Sequence, residues 1–176
     1  MNRIILVLCL CFLTLQLFCT SGAMGASQEE VKCIVTDSGV YTRAPGKKVN
    51  APGTPSGVTE RILADTVKFQ TKSNEIPATL GIRFGFMFIV TGLPAMTNVN
   101  FRKVVTYPAM LRPDGTISKG YEINLSYKTS ADGIVDKAIE GYGFDHPYEL
   151  VTGKWNFEIW YGDHKLTEQV YYVVKP

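Results

Sequence analysis

Two histidines, two close carboxylates and a handful of cysteines carry what chemistry this sequence could perform. His146 sits in "DHPYE" beside Asp145 and three residues before Glu149, and His164 follows Asp163 in "YGDH". A metal centre needs three or four such ligands converging in space. Neither segment has ligand spacing on one face. Asp145-His146-Pro147 reads as a turn before a strand, and Gly162-Asp163 as a hairpin tip. Glu158 and Glu168 fall on opposite arms of the last hairpin, near enough to suggest a carboxylate pair for glycoside chemistry. Their parity places them on the hairpin's solvent face instead. "EGYGFD" holds Gly141 and Gly143, but no helix follows to complete a phosphate cradle. No GxSxG elbow occurs, and Cys33 lies in an apolar strand frame rather than beside a histidine. The expectation is therefore no catalytic residues, no metal and no cofactor.

The other three cysteines belong to a different part of the chain. After Arg3 comes "IILVLCLCFLTLQLF", then the small residues "TSGAMGAS". This is the pattern of a cleavable export leader, with cutting expected after Ala23 or Gly25. About fifteen apolar residues fall short of the ~20 that span a bilayer. Bulky Phe18 before Cys19 argues against lipid attachment. Residues 1–25 are thus expected to be a signal peptide and 26–176 one domain, periplasmic or extracellular and not membrane-spanning. Cys9, Cys11 and Cys19 leave with the leader, so Cys33 stands alone and no internal disulfide can form. Val31, Cys33 and Val35 alternate like one strand face, which predicts a buried thiol.

The 176 residues are 45% hydrophobic and 19% charged, a globular composition. Net charge is +2, and +1 once Arg3 is removed. Lys47-Lys48 and Arg102-Lys103 are isolated basic pairs rather than a stripe that could neutralise phosphates, so nucleic acid is excluded as a partner.

The elements that must position these residues are strands. Short runs rich in Val, Ile, Phe, Tyr and Thr alternate with Gly, Pro, Asn and Asp. Strands are expected at 31–42, 58–70, 78–92, 99–108, 120–129, 139–144, 154–161 and 166–174. The 60–72 segment also permits a short helix, and a bulged strand is preferred. The proline- and glycine-rich 43–57 stretch reads as a long connector. In "LGIRFGFMFIVTGLP", Phe84, Phe86, Phe88 and Val90 share one face, a core wall. Arg83, Gly85, Met87 and Ile89 share the other, and Gly85 predicts a bulge or a close backbone approach. In "GKWNFEIWYGDHKL", Trp155, Phe157 and Ile159 point inward, while Trp160 shares the outer face with Asn156 and Glu158. The last strand leaves two registers open: Val170, Tyr172 and Val174 inward, or Tyr171 and Val173.

A Gly-x-Trp-x-Phe-x-Ile strand, a short turn and a final strand suggest an all-β, antiparallel immunoglobulin-like sandwich of seven to eight strands with little or no helix. "APGTPSG", "IPATLGIRFGFMF", "GYGFDHPYELVTGKWNFEIWYGDHKLTEQ" and the closing "VVKP" run in order over residues 39–176. Together they resemble an uncharacterised family of exported bacterial proteins, a domain of unknown function. The resemblance implies an exported bacterial β-domain and brings no assigned site residues. The function expected by analogy of fold is a non-catalytic binding or protein-interaction module whose partner is a protein or envelope component. The alternative is a small-ligand carrier or enzyme with an aromatic-lined pocket, recognisable by a cavity of several hundred Å³ with converging polar groups.

Overall fold

The computed structural model describes residues 30–176. The expected leader, with Cys9, Cys11 and Cys19, lies outside the described residues. The strands are β1 (Lys32–Thr42), β2 (Lys47–Asn50), β3 (Val58–Arg61), β4 (Lys68–Thr71), β5 (Glu75–Pro77), β6 (Arg83–Thr91), β7 (Asn98–Leu111), β8 (Ile117–Lys128), β9 (Val135–Gly143), β10 (Gly153–Tyr161) and β11 (His164–Val174). Among the described residues helix is confined to two single 3₁₀ turns, Ala64–Thr66 and Pro147–Glu149. One sheet runs β4-β1-β6-β9 and the other β5-β11-β10-β7-β8, while β2 and β3 form a separate two-stranded arm. Every pairing is antiparallel except β5 with β11. The count exceeds the expected seven to eight because several strands have only three or four residues.

The core is the facing inner surfaces of the two large sheets. Phe84, Phe86, Phe88 and Val90 of β6 are fully buried, as their period-two spacing requires. Opposite them lie Val99, Phe101, Val105 and Tyr107 of β7 and Trp155, Phe157 and Ile159 of β10. Phe84 sits at the centre, 5.3–5.8 Å from the rings of Phe144, Trp155, Phe157 and Tyr171. The register Trp155↔Tyr171 and Gly153↔Val173 settles the last strand: Tyr171 and Val173 face inward, and Tyr172 and Val174 outward. Met87 and Ile89 on the second face of β6 are half-buried, as expected of a central strand. Val31, Cys33 and Val35 pack together against the core, but Cys33 is half-buried rather than fully enclosed. Burial still pushes its thiol up to about 11, so little reactive thiolate is present at neutral pH.

Two expectations need correction. The strand at 58–70 is broken: β3 ends at Arg61, the 3₁₀ turn intervenes, and β4 joins a different sheet. The connector at 43–57 contains β2, which pairs with β3 to make the arm. A tight turn joins them, with Ala51 N–H donating to Gly57 O and Thr54 N–H to Ala51 O, both at 2.9 Å. Buried ionic contacts fix the base of the arm. The Arg43 guanidinium pairs with Glu60, which also accepts from Gly46 N–H at 3.3 Å. Burial opposes charge on Glu60, but Arg43 and that N–H outweigh it and hold the carboxyl below its ordinary range.

Gly85 marks a close approach. Gly39, Gly85 and Gly141 lie side by side across β1, β6 and β9. A Cβ on Gly85 would fall 2.2 Å from Glu140 O, and one on Gly141 2.3 Å from Phe84 O. This glycine seam lets neighbouring backbones crowd together. Its carbonyls accept bonds from the facing sheet: Tyr171 Oη donates to Gly85 O at 2.6 Å, and Lys103 Nζ to Gly141 O at 2.9 Å.

Candidate functional site

The residues singled out in the sequence do not come together. His146 and His164 sit at opposite ends of β10, which at ~3.3 Å per residue separates them by roughly 25 Å. His146 stacks on Tyr148, with centroids 5.3 Å apart. Asp145 accepts from Arg83 Nη2 at 3.0 Å. Glu149 is 2% exposed and fully engaged. It accepts from the backbone N–H of Asp145 (2.7 Å) and His146 (2.8 Å) and from Tyr142 Oη (2.9 Å). It is a staple for the β9–β10 connection. His164 and Asp163 are exposed at the hairpin tip. Glu158 and Glu168 do face each other across β10 and β11, on the outer surface. Lys165 lies between them, 3.4 Å from Glu158 and 2.6 Å from Glu168. Gly141 and Gly143 are strand residues of β9. Among the described residues no three His, Cys, Asp or Glu side chains gather as a metal site would require. No helix among them is long and apolar enough to cross a membrane.

The polar group that the structure does concentrate is one the sequence reading passed over. On β7, Lys103 shares parity with Val99, Phe101, Val105 and Tyr107, and it points between the sheets with 3% exposure. That parity was the available signal; reading Arg102-Lys103 as an isolated basic pair hid it. Lys103 Nζ donates to Glu140 Oε2 of β9 at 2.9 Å as well as to Gly141 O. Tyr127 of β8 donates to the other carboxylate oxygen at 2.9 Å. The ammonium also stands 5.8 Å from the ring centres of Tyr121 and Phe157. Burial alone would lower the lysine's pKa. The Glu140 carboxylate, followed by Tyr121, reverses that and holds it above the ordinary value. Lys103 is a fixed cation with no free lone pair for nucleophilic attack.

This ion pair forms the floor of a cleft. β8 and β9 are edge strands of the two sheets, and their edges face each other across a cavity of about 710 Å³. The β2–β3 arm forms its third wall. Ile62, Ile123, Leu125, Ala138 and Ile139 supply apolar lining, and Arg61, Lys128 and Lys137 add cationic groups. The tip of the arm reaches β8, where a Cβ on Gly53 would lie 3.2 Å from Glu122 O. A smaller cavity of about 350 Å³ adjoins it, lined by Tyr41, Arg43, Tyr121, Tyr142 and His146 among others.

The tyrosines around the cleft are all held neutral. Burial is the first cause in each case. It pushes Tyr41 up to about 12 and raises Tyr121, Tyr127 and Tyr142, with Glu140 adding to Tyr127 and Glu149 to Tyr142. Tyr171 is raised likewise. The folded protein therefore holds protons that the unfolded chain would release. Stability from these tyrosines and Lys103 is fully present below the unfolded pKa values, near 10 for both residue types. It is lost as pH rises through the folded values. Each group takes about 1.4 kcal/mol per pH unit once its unfolded form has ionised. Urea midpoints should be flat between pH 7 and 9 and fall steeply above about pH 10. A midpoint unchanged to pH 11.5 would show that these groups are not enclosed.

Comparison with known proteins adds a family and a fold. The profile of a family described as a domain of unknown function, DUF3859, matches residues 30–173. The crystal structure of an immunoglobulin-like protein from Pseudomonas aeruginosa superposes with a TM-score of 0.58 at 21% identity. It covers 84% of this chain and 99% of its own. None of the functionally curated proteins matches. The likeness shows an immunoglobulin-like β-sandwich.

Proposed function

Starting from the chain's membership of the DUF3859 family, to which it belongs over residues 30–173, we propose that it is an exported, non-catalytic binding module of the bacterial envelope, with the cleft between β8 and β9 as its binding site. The observation that carries this reading is the cleft itself. It has the volume of a ligand pocket, and its walls mix apolar side chains with converging polar and charged ones. Lys103 on its floor is a paired cation, and Tyr127 in its wall is held neutral by burial. The apolar leader-like segment after Arg3 supports export. The alternative, a small-ligand carrier or an enzyme, would use the same space, because Tyr127 lines the larger cavity and Tyr41, Tyr121 and Tyr142 the smaller. The raised hydroxyl pKa values favour a carrier over acid–base chemistry.

The test is native purification from the envelope followed by mass spectrometry, for the wild type and for Ile123→Trp. Ile123 is half-buried on the cleft wall, so a larger ring fills the space without entering the core. A molecule or protein retained by the wild type and lost from the variant at unchanged melting temperature is the expected result. Equal retention by both would remove the cleft as the site, and catalytic turnover of the retained molecule would remove the non-catalytic reading.

A further inference from the structure

Resting on the reading of the cleft as a binding site, we propose that its occupant is an extended peptide segment alternating apolar and acidic residues, which adds as a strand to the free edge of β8. The two large sheets have four edges. An exposed edge is a template for another strand, and proteins blunt it by shortness, proline or a bulge. β4 has four residues, and β5 has three and ends in Pro77. β9 carries Lys137 at φ +49° beside a register shift opposite Phe88–Val90. β8 is different. It has 12 residues, and from Tyr121 to Lys128 it pairs with β7 in unbroken register, without proline or bulge. None of the backbone hydrogen bonds formed outside the strand ladders involves these eight residues. The arm tip at Gly53 covers the edge at Glu122, and the stretch left undefended, 124–128, is the one that opens into the cleft.

The side chains specify what such a strand should carry. Tyr121, Ile123, Leu125 and Tyr127 alternate on the inner side of β8 and are only half-buried, so one face of an added strand gains apolar contact there. The charges around the cleft are unevenly satisfied. Its three carboxylates are each paired: Glu60 with Arg43, Glu122 with Arg102 and Glu140 with Lys103. Among the described residues Arg61 and Lys128 have no ion-pair partner, and Lys137 has only the exposed Asp65. All three line the cleft. The unbalanced charge is positive and asks for an acidic partner. Main-chain bonds to β8 supply affinity, and the alternation of side chains supplies selectivity.

The probe is a pool of eight-residue peptides in which varied apolar residues alternate with Asp or Glu, tested on the purified protein by fluorescence anisotropy and amide hydrogen exchange. Three control pools carry Lys in place of the acids, the same residues in blocks, or N-methylated alternate amides. Saturable binding by the acidic alternating pool, with new amide protection confined to 121–128, is the expected result. The three control pools should bind far more weakly. Arg61→Ala/Lys128→Ala removes two exposed charges and should weaken binding by about 5-fold at low salt, with the difference shrinking as salt is added. Equal binding by the Lys or N-methylated pool, or protection elsewhere, overturns the proposal. So does the absence of binding by every pool. Dodecanoate separates the two readings. If it binds in the cleft and no peptide does, the peptide occupant is wrong and the cleft stands as a site. If neither peptide nor dodecanoate alters exchange of β8 or β9, and Ile123→Trp retains every native partner, both fail.

Discussion

Glu140→Ala should cost the domain about 3–5 kcal/mol, on the scale of removing one partner from a buried ion pair. The change leaves the Lys103 ammonium, 3% exposed, with Gly141 O as its remaining acceptor, and it strips the acceptor from Tyr127 Oη. Burial, now unopposed by the carboxylate, would drive the lysine toward its neutral form. A loss of this size is a large share of the ~5–15 kcal/mol that holds an ordinary domain together. The double variant Lys103→Met/Glu140→Leu removes both charges and keeps the space filled. It should recover most of the loss, because the pair's attraction mainly offsets the cost of desolvating it. Urea melts of the wild type, Lys103→Met, Glu140→Leu and the double variant complete the cycle, with Glu140→Ala measured beside them. If Glu140→Ala loses under 1 kcal/mol, water reaches Lys103 and the floor of the cleft is wetter than its packing indicates.

Trp155→Ala should be comparably severe, at about 3–5 kcal/mol. Trp155 is fully buried, with Tyr107 and Tyr142 rings at 4.6 and 4.9 Å and its Nε1–H donated to Val151 O at 2.9 Å. Trp160 lies on the outer face of the same strand, but it is half-buried rather than open. Arg102 covers its ring at 4.7 Å, and its Nε1 donates to Glu158 at 2.7 Å. Its removal should therefore cost about 0.5–1 kcal/mol, the worth of an exposed cation–π contact, and leave the domain folded. Denaturant melts of the two variants distinguish the faces. Equal large losses would place both faces of β10 in the interior.

The large strands were legible because burial on one face writes a period of two into the sequence. Phe84, Phe86 and Phe88, and Trp155, Phe157 and Ile159, are such stretches, and all six are core residues. The arm was illegible for the same reason. "KKVN" and "VTER" bury little, so their pairing leaves no apolar alternation and depends on the turn at 51–57. The segment at 58–70 looked continuous because both short strands share β-forming residues, and nothing local reveals that they enter different sheets. The cleft could not be read at all, since it is made where the edges of two sheets happen to face. Its floor could have been. A lysine in the parity of Val99, Phe101 and Val105 demands a buried partner, and the chain offers few acids with inward parity. Glu149 stood out only as an acid near His146 without ligand spacing, and nothing in that spacing reveals that its carboxylate serves the backbone.

The position of β11 governs when this protein can fold as well as how. The strand lies between β5 and β10, and its parallel partner pairs Tyr172 with Glu75 and Val173 with Ile76. A parallel pair at such sequence distance closes slowly, because the loop entropy must be met before the contacts form. Until residues 164–174 are in place, β5 has no strand to join, and Trp155 and Phe157 lack their neighbour Tyr171. A chain wired this way can pair β10, β7 and β8 first, and it leaves β5 and one flank of β10 unpaired until β11 is in place.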